Sequence, residues 1–308
     1  MVATQLNNLA ELLRAKGDYE GAEPLYREAV AIWKNVLGND HPLVATGLNN
    51  LAQLLRSKGD YGGAEKLQRE ALAIDKKVHG NNHPDVARDL NNLAGLLQDK
   101  GDYEGAEPLF REAITIWKNV LGNDHPNVAS GLNNLAGLLR DKGDYDGAEP
   151  LYRESLAIRK KALGDDHPAV ATALNNLAAL LKTKGDYDGA EKLHREALVI
   201  KEKVYGHDHP STATTLNNLA VLLSETGRKV EAKRLFLEAL QIRRTALGTK
   251  HPDVADTLWW LASLCKETGD MKEARSLANE AQTIFEAVLG PNHPKTLQIR
   301  EFVTTLAT

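Results

Sequence analysis

The stretch from His41 to Gly80, HPLVATGLNNLAQLLRSKGDYGGAEKLQREALAIDKKVHG, holds two helical patterns and two breaks. Leu48, Leu51, Ala52 and Leu55 fall at i, i+3, i+4 and i+7, which puts them on one face of an amphipathic helix, called helix A here. Pro42, with its fixed φ and missing N–H, suits the first helical position, and Gly59 suits the left-handed residue that ends the helix. Asp60 then stands where the N-cap of a second helix, B, is expected. Ala64, Leu67, Ala71, Ile74 and Val78 make its apolar face, and Gly80 ends it. At ~1.5 Å per residue each helix is roughly 25 Å long.

The same unit recurs along the chain. His-Pro returns every 42 residues, at His41, His83, His125, His167, His209, His251 and His293, with no insertion or deletion in 308 residues. Leu6–Ala45 and Leu90–Ala129 agree at 33 of 40 positions, which points to recent duplication or design. A fixed period of this size predicts an all-α solenoid, in which each unit buries its apolar face against its neighbours. The expected organisation is a single repeat array over 1–308. Its units run at about 1–41, 42–83, 84–125, 126–167, 168–209, 210–251 and 252–293, with 294–308 as a C-terminal capping helix. Met1 aligns with Leu43 inside a helix A, as if the array were cut from a longer one.

Composition narrows the function. Lys and Arg total 38 against 42 Asp and Glu, so the net charge of −4 provides no basic field for nucleic acid. No apolar run approaches the ~18 residues of a membrane span, and Met1-Val2-Ala3 leads into repeat sequence without a charged-then-apolar leader. A cytoplasmic protein that binds neither membrane nor nucleic acid is expected. Cys265, the one cysteine, stands where other units have Leu and reads as core filler.

At Leu48, Leu51, Ala52, Leu55, Gly59, Tyr61, Ala64 and Ala71 the unit resembles the tetratricopeptide repeat, lengthened from its usual 34 residues. With LNNLA, KGDYEGAEPLYREA and LGNDHP it is similar to the subclass found in kinesin light chains and bacterial relatives. The resemblance implies a right-handed superhelical solenoid of antiparallel helix pairs. It also implies a concave groove lined by the helix A residues opposite the Leu face, and a protein or peptide partner held there. In kinesin light chains, groove Asn and basic residues hold cargo peptides that carry Trp or Tyr beside acidic residues.

Carried onto this sequence, the stripe gives a ladder of Asn49, Asn91, Asn133, Asn175 and Asn217, each followed by a second Asn. Asn has poor helix propensity and competes for backbone hydrogen bonds, so something else must favour it. Its amide can grip a peptide backbone; alternatively, one Asn of each pair bonds a neighbouring helix. Arg56, Arg140 and Lys182 form a basic row, with Arg88 at the head of the stripe, although Asp99, Asp141 and Glu225 lie nearby. Gly95, Gly137 and Ala179 leave room for a bulky side chain. Trp259-Trp260 replaces the Asn pair in the seventh unit. Trp260 is expected to pack under the terminal half-unit against Phe302, and Trp259 is left as a candidate contact.

No catalytic, metal or cofactor site is expected. The His-Pro histidines read as turn residues, His207 and His209 lack companion ligands, and each Gly punctuates a repeat rather than cradling a phosphate. The expected function is a non-catalytic scaffold binding an extended acidic and aromatic peptide. The alternatives are a structural solenoid that self-associates through its ends, or a regulatory array from a larger signalling protein.

Overall fold

The computed structural model describes residues 2–306, so the assignments to Met1, Ala307 and Thr308 lie outside the described residues. The chain divides into two compact units, Met1–Ala162 and Leu163–Thr308. All the regular structure in the described residues is helical. The first unit holds α1 (Val2–Ala15), α2 (Tyr19–Leu37), α3 (Pro42–Ser57), α4 (Tyr61–His79), α5 (Pro84–Asp99), α6 (Tyr103–Leu121), α7 (Pro126–Asp141) and α8 (Tyr145–Leu163), whose last residue crosses the boundary. The second holds α9 (Pro168–Thr183), α10 (Tyr187–Tyr205), α11 (Pro210–Glu225), α12 (Lys229–Leu247), α13 (Pro252–Glu267), α14 (Met271–Leu289) and α15 (Pro294–Thr304). Odd-numbered helices are the A helices and even-numbered ones the B helices. A helices pack on their own B helix, as α3 does on α4 and α11 on α12, and on the B helix before, as α3 does on α2 and α11 on α10.

Local chemistry sets the helix ends. Each His of the His-Pro pairs is an N-cap whose Nδ1 accepts the backbone N–H two residues on, as in His41 to Leu43 at 3.1 Å. Pro follows at the first helical position, where its missing N–H costs nothing. Asp60 caps α4 by accepting the Gly63 N–H at 2.9 Å, and its counterparts at Asp18, Asp102, Asp144 and Asp186 do the same. The turn glycines Gly59 and Gly80 have φ of +80° and +79°, and positive-φ glycines recur at this 21-residue spacing from Gly17 to Gly290. An L side chain is strained there, which explains why both turns of every pair keep Gly.

The core alternates small and large residues. Ala10, Ala22, Ala52 and Ala64 are fully buried and let helices approach, while Tyr26, Leu51, Leu54 and Leu55 fill the space between them. Cys265 is buried in its Leu position, and burial pushes its thiol up to about 11. Val78 departs from the expected face of helix B: it is 44% exposed. At α15, Thr296, Ile299 and Leu306 are buried and Lys295 pairs with Asp256 at 2.7 Å, yet Leu297 on its outer side is exposed.

Candidate functional site

Much of the Asn ladder is engaged within the protein. Asn49, Asn175 and Asn217 are buried. The Asn49 amide donates to Asp89 Oδ1 at 2.7 Å on the next A helix, and the Asn175 amide donates to Thr215 Oγ1 at 2.9 Å. Asn175 Oδ1 in turn accepts from His194 Nδ1 at 2.8 Å, and burial, with the Lys182 charge adding to it, pushes His194 down to about 4. Its imidazole is thus a neutral structural donor. Asn91 accepts from Asn134 Nδ2 and Asn7 accepts from Asn50 Nδ2, both at 3.0 Å, so the second Asn of one repeat bonds the first Asn of the preceding repeat. Asn133 is half-buried beside Asn134. These amides lace successive A helices, and that offsets the helix-propensity cost of Asn.

The basic row is likewise compensated. Arg56 pairs with Asp99, Arg140 with Asp141 at 2.8 Å, and Lys182 with Glu225 at 2.6 Å. Arg88 bridges Asp75, Asp85 and the fully buried Asp89. The space expected over Gly95 is partly taken by the Arg56 guanidinium, which would lie 3.4 Å from a Cβ added there; over Gly137 the nearest group is the Tyr152 hydroxyl, at 3.5 Å. His79, His83 and Asp85 place ligand atoms within 4.8 Å of one another, but the two rings stack nearly parallel, His83 Nδ1 caps α5 and Arg88 holds Asp85.

The second unit holds open space lined by several of these residues. One cavity of about 680 Å³ is walled by Trp259, Trp260 and Phe302, with Asn217, Asn218, Arg243, Asp256 and Lys295 at its polar edge. A second, of about 250 Å³, is lined by Asn175, Asn176, Lys201, Thr214 and Thr215, and Asn218 borders both. Trp259 rather than Trp260 packs beneath α15: its ring lies edge-on to Phe285 and tilted against Phe302, each at 6.4 Å. Trp260 is 47% exposed. The order of the two rings follows from helix phase, because Trp259 continues the stripe that faces α15.

Lys201 and Arg243 were not singled out by the sequence reading. They occupy the helix B position that is Trp33 in the first repeat and Trp117 in the third. A cation in a core register is the signal that could have revealed them.

Repeated helix pairs joined by short glycine turns, with no sheet among the described residues, define a helical-repeat scaffold of the kind that mediates protein–protein interaction. The tetratricopeptide repeat model matches residues 1–77, 44–104, 85–161, 127–203, 170–245 and 253–304, and the chain belongs to that family. Its repeats are of the kinesin light chain-like type. The chain is similar to BtubC (BKLC) from P. vanneervenii at 26% identity, with a TM-score of 0.57 over 76% of this chain and 92% of that one. A Podosopora anserina putative kinesin light chain with nearly identical TPR-like repeats matches at 25% identity and a TM-score of 0.54, over 67% of this chain and 97% of the other. Aspartyl phosphate phosphatase F from Bacillus subtilis, 14% identical, shares the fold with a TM-score of 0.67 over 92% of this chain and 70% of its own. No curated protein matches the sequence. No helix among the described residues is long and apolar enough to cross a membrane.

Proposed function

We propose that the chain works as one non-catalytic, cytoplasmic array that holds an extended segment of a partner protein, with the second unit as its principal binding region. The observation that carries this reading is a pair of cavities that share Asn218 in their linings, the larger walled by Trp259, Trp260 and Phe302. A cavity of that size, mainly apolar with a few polar groups at one edge, suits a bulky side chain anchored beside hydrogen-bonding backbone. Asn217, Asn218 and Trp259 are the proposed contacts. Of the amides and cations of the first unit, Asn49, Asn91, Arg56 and Arg88 act mainly in lacing repeats together, while Arg140 is held by the adjacent Asp141.

Fluorescence anisotropy against a library of acidic, aromatic-containing peptides tests this, with Trp259→Ala as the control. Micromolar or tighter binding that the substitution weakens supports the groove; no binding by any member refutes it. A second reading rests on α1, where Val2, Leu9 and Leu12 are exposed along one face on which a second copy could stack. Sedimentation velocity decides it, since a monomer at high concentration removes that reading.

A further inference from the structure

Repeats this alike present a docking problem. Leu6–Ala45 and Leu90–Ala129 agree at 33 of 40 positions, and the core faces of the first unit reuse the same residues. Val44, Leu48 and Leu51 on α3 return as Val86, Leu90 and Leu93 on α5 and as Val128, Leu132 and Leu135 on α7, all of them buried. Such a core rewards a B helix for packing on any of these A helices. Exchange of equivalent helices, within one chain or between two copies, is a characteristic misassembly of repeat proteins. Burial of the shared residues does not distinguish the correct neighbour from a wrong one.

One position on the B helices does. It carries Trp33 on α2, Asp75 on α4 and Trp117 on α6, all buried, and the residue 14 places on is Gly47 on α3, Asp89 on α5 and Gly131 on α7. Trp33 lies so close over Gly47 that a Cβ there would stand 2.8 Å from its Cζ3, and a Cβ on Gly131 would stand 3.1 Å from Trp117 Cζ3. The junction between these two has the opposite chemistry. Arg88 Nη2 joins Asp75 Oδ2 at 3.1 Å and Asp89 Oδ1 at 3.3 Å, and Asn49 donates to the same Asp89 oxygen at 2.7 Å. The place of Arg88 is taken by Thr46 on α3 and by Ser130 on α7.

The two contact sets exclude one another. A tryptophan turned toward Asp89 would meet a carboxylate at the position where even a Cβ comes too close. Asp75 turned toward Gly47 or Gly131 would be buried away from Arg88, with Thr46 or Ser130 in the place of that cation. Because the Asp set lies between the two Trp sets, a slip of one whole repeat mismatches both kinds of contact. We infer that Trp33–Gly47, Asp75–Arg88–Asp89 and Trp117–Gly131 fix the order in which these repeats dock. They act by rejecting the wrong neighbour, whether it belongs to the same chain or to a second copy. In the second unit the same position pairs Arg243 with Thr257 at 2.6 Å, a third chemistry. Peptide binding plays no part in this role.

The test is refolding of the full chain from urea, read by size-exclusion chromatography with light scattering. Asp75→Trp/Arg88→Ser/Asp89→Gly gives the α4–α5 junction the residues of the α6–α7 junction, so that all three junctions become alike while the Leu and Ala faces stay untouched. Asp75→Trp alone leaves the indole against Asp89. The single variant is expected to lower the unfolding midpoint and the triple variant to recover it. On refolding, the triple variant should give severalfold more dimer and larger species than the unaltered chain, because equivalent helices can then exchange. The reciprocal variant Trp117→Asp/Ser130→Arg/Gly131→Asp, which makes the α4–α5 and α6–α7 junctions alike, is expected to misassemble in the same way and decides the outcome if the first triple variant does not fold. Refolding of either triple variant to monomer with the yield and rate of the unaltered chain overturns the inference, as does an unchanged midpoint in Asp75→Trp. Failure of both triple variants to fold overturns it too, since the contact sets would then not be interchangeable.

Discussion

Asn49 donates its side-chain amide to Asp89 Oδ1 at 2.7 Å, joining two A helices through residues 40 positions apart in the chain. Both partners are buried, and Asp89 Oδ2 has no hydrogen-bond donor of its own. Removing the amide therefore deprives a buried carboxyl group of its neutral donor. Asn49→Ala should destabilise the protein by about 1 to 3 kcal/mol in urea unfolding, with no change in peptide affinity once the folded fraction is considered. Unaltered stability together with weakened peptide binding would return Asn49 to the ligand surface.

Asp89 also predicts a pH dependence. Burial raises its carboxyl from the ordinary range, with Asp75 acting in the same direction and Arg88 and Asn49 in the opposite one. A group whose folded value is raised holds its proton more tightly in the native state. Its contribution is present at acid pH below the unfolded carboxylate range and is lost as pH rises toward neutrality. Lowered groups such as Glu65 and Glu107 act the other way, so the quantity to follow is the difference between two proteins. Asp89→Asn should gain stability relative to the unaltered chain as pH rises from about 4, the ordinary carboxylate range, to the raised value of about 7. Parallel stability curves for the two proteins across that range would contradict the buried-acid account.

Gly131 lies against Ile114 and Trp117, and a Cβ there would come within 2.7 Å of Ile114 Cγ1 and 3.1 Å of Trp117 Cζ3. Helix propensity favours Ala over Gly by ~1 kcal/mol, whereas overpacking costs about 1 to 3 kcal/mol. The second effect should win, so Gly131→Ala is expected to lower the unfolding midpoint. A raised midpoint would mean that the indole can shift freely.

His125 caps α7 through Nδ1, 3.1 Å from the Asn127 N–H. His125→Ala should cost about 1 kcal/mol, and His125→Asn should recover most of it, since Asn is a strong N-cap residue. Equal losses in the two variants, measured by thermal unfolding, would show that His125 acts through packing instead.

The helix pairs were legible in the sequence because their causes are local. A 3.6-residue apolar period, Pro at a helix start, Asp at a cap and Gly at a positive-φ turn act within a few residues of themselves, so Pro42, Asp60 and Gly80 could be read directly. The candidate site was legible only as a stripe. That stripe contained Asn217 and Trp259, which line the larger cavity, together with Asn49 and Arg140, whose partners are already within the protein.

By itself, then, the sequence determined the all-helical repeat, its 42-residue period and the ends of its helices, since each follows from short-range sterics and hydrogen bonding. Tertiary structure alone decided which polar groups remain open. Whether Lys182 meets Glu225, whether Asn175 meets Thr215, and whether Arg243 meets Thr257 depends on how side chains from different helices converge. Net charge along a stripe does not reveal that convergence, because pairing and desolvation act over a few ångströms in space between residues some 40 apart in sequence.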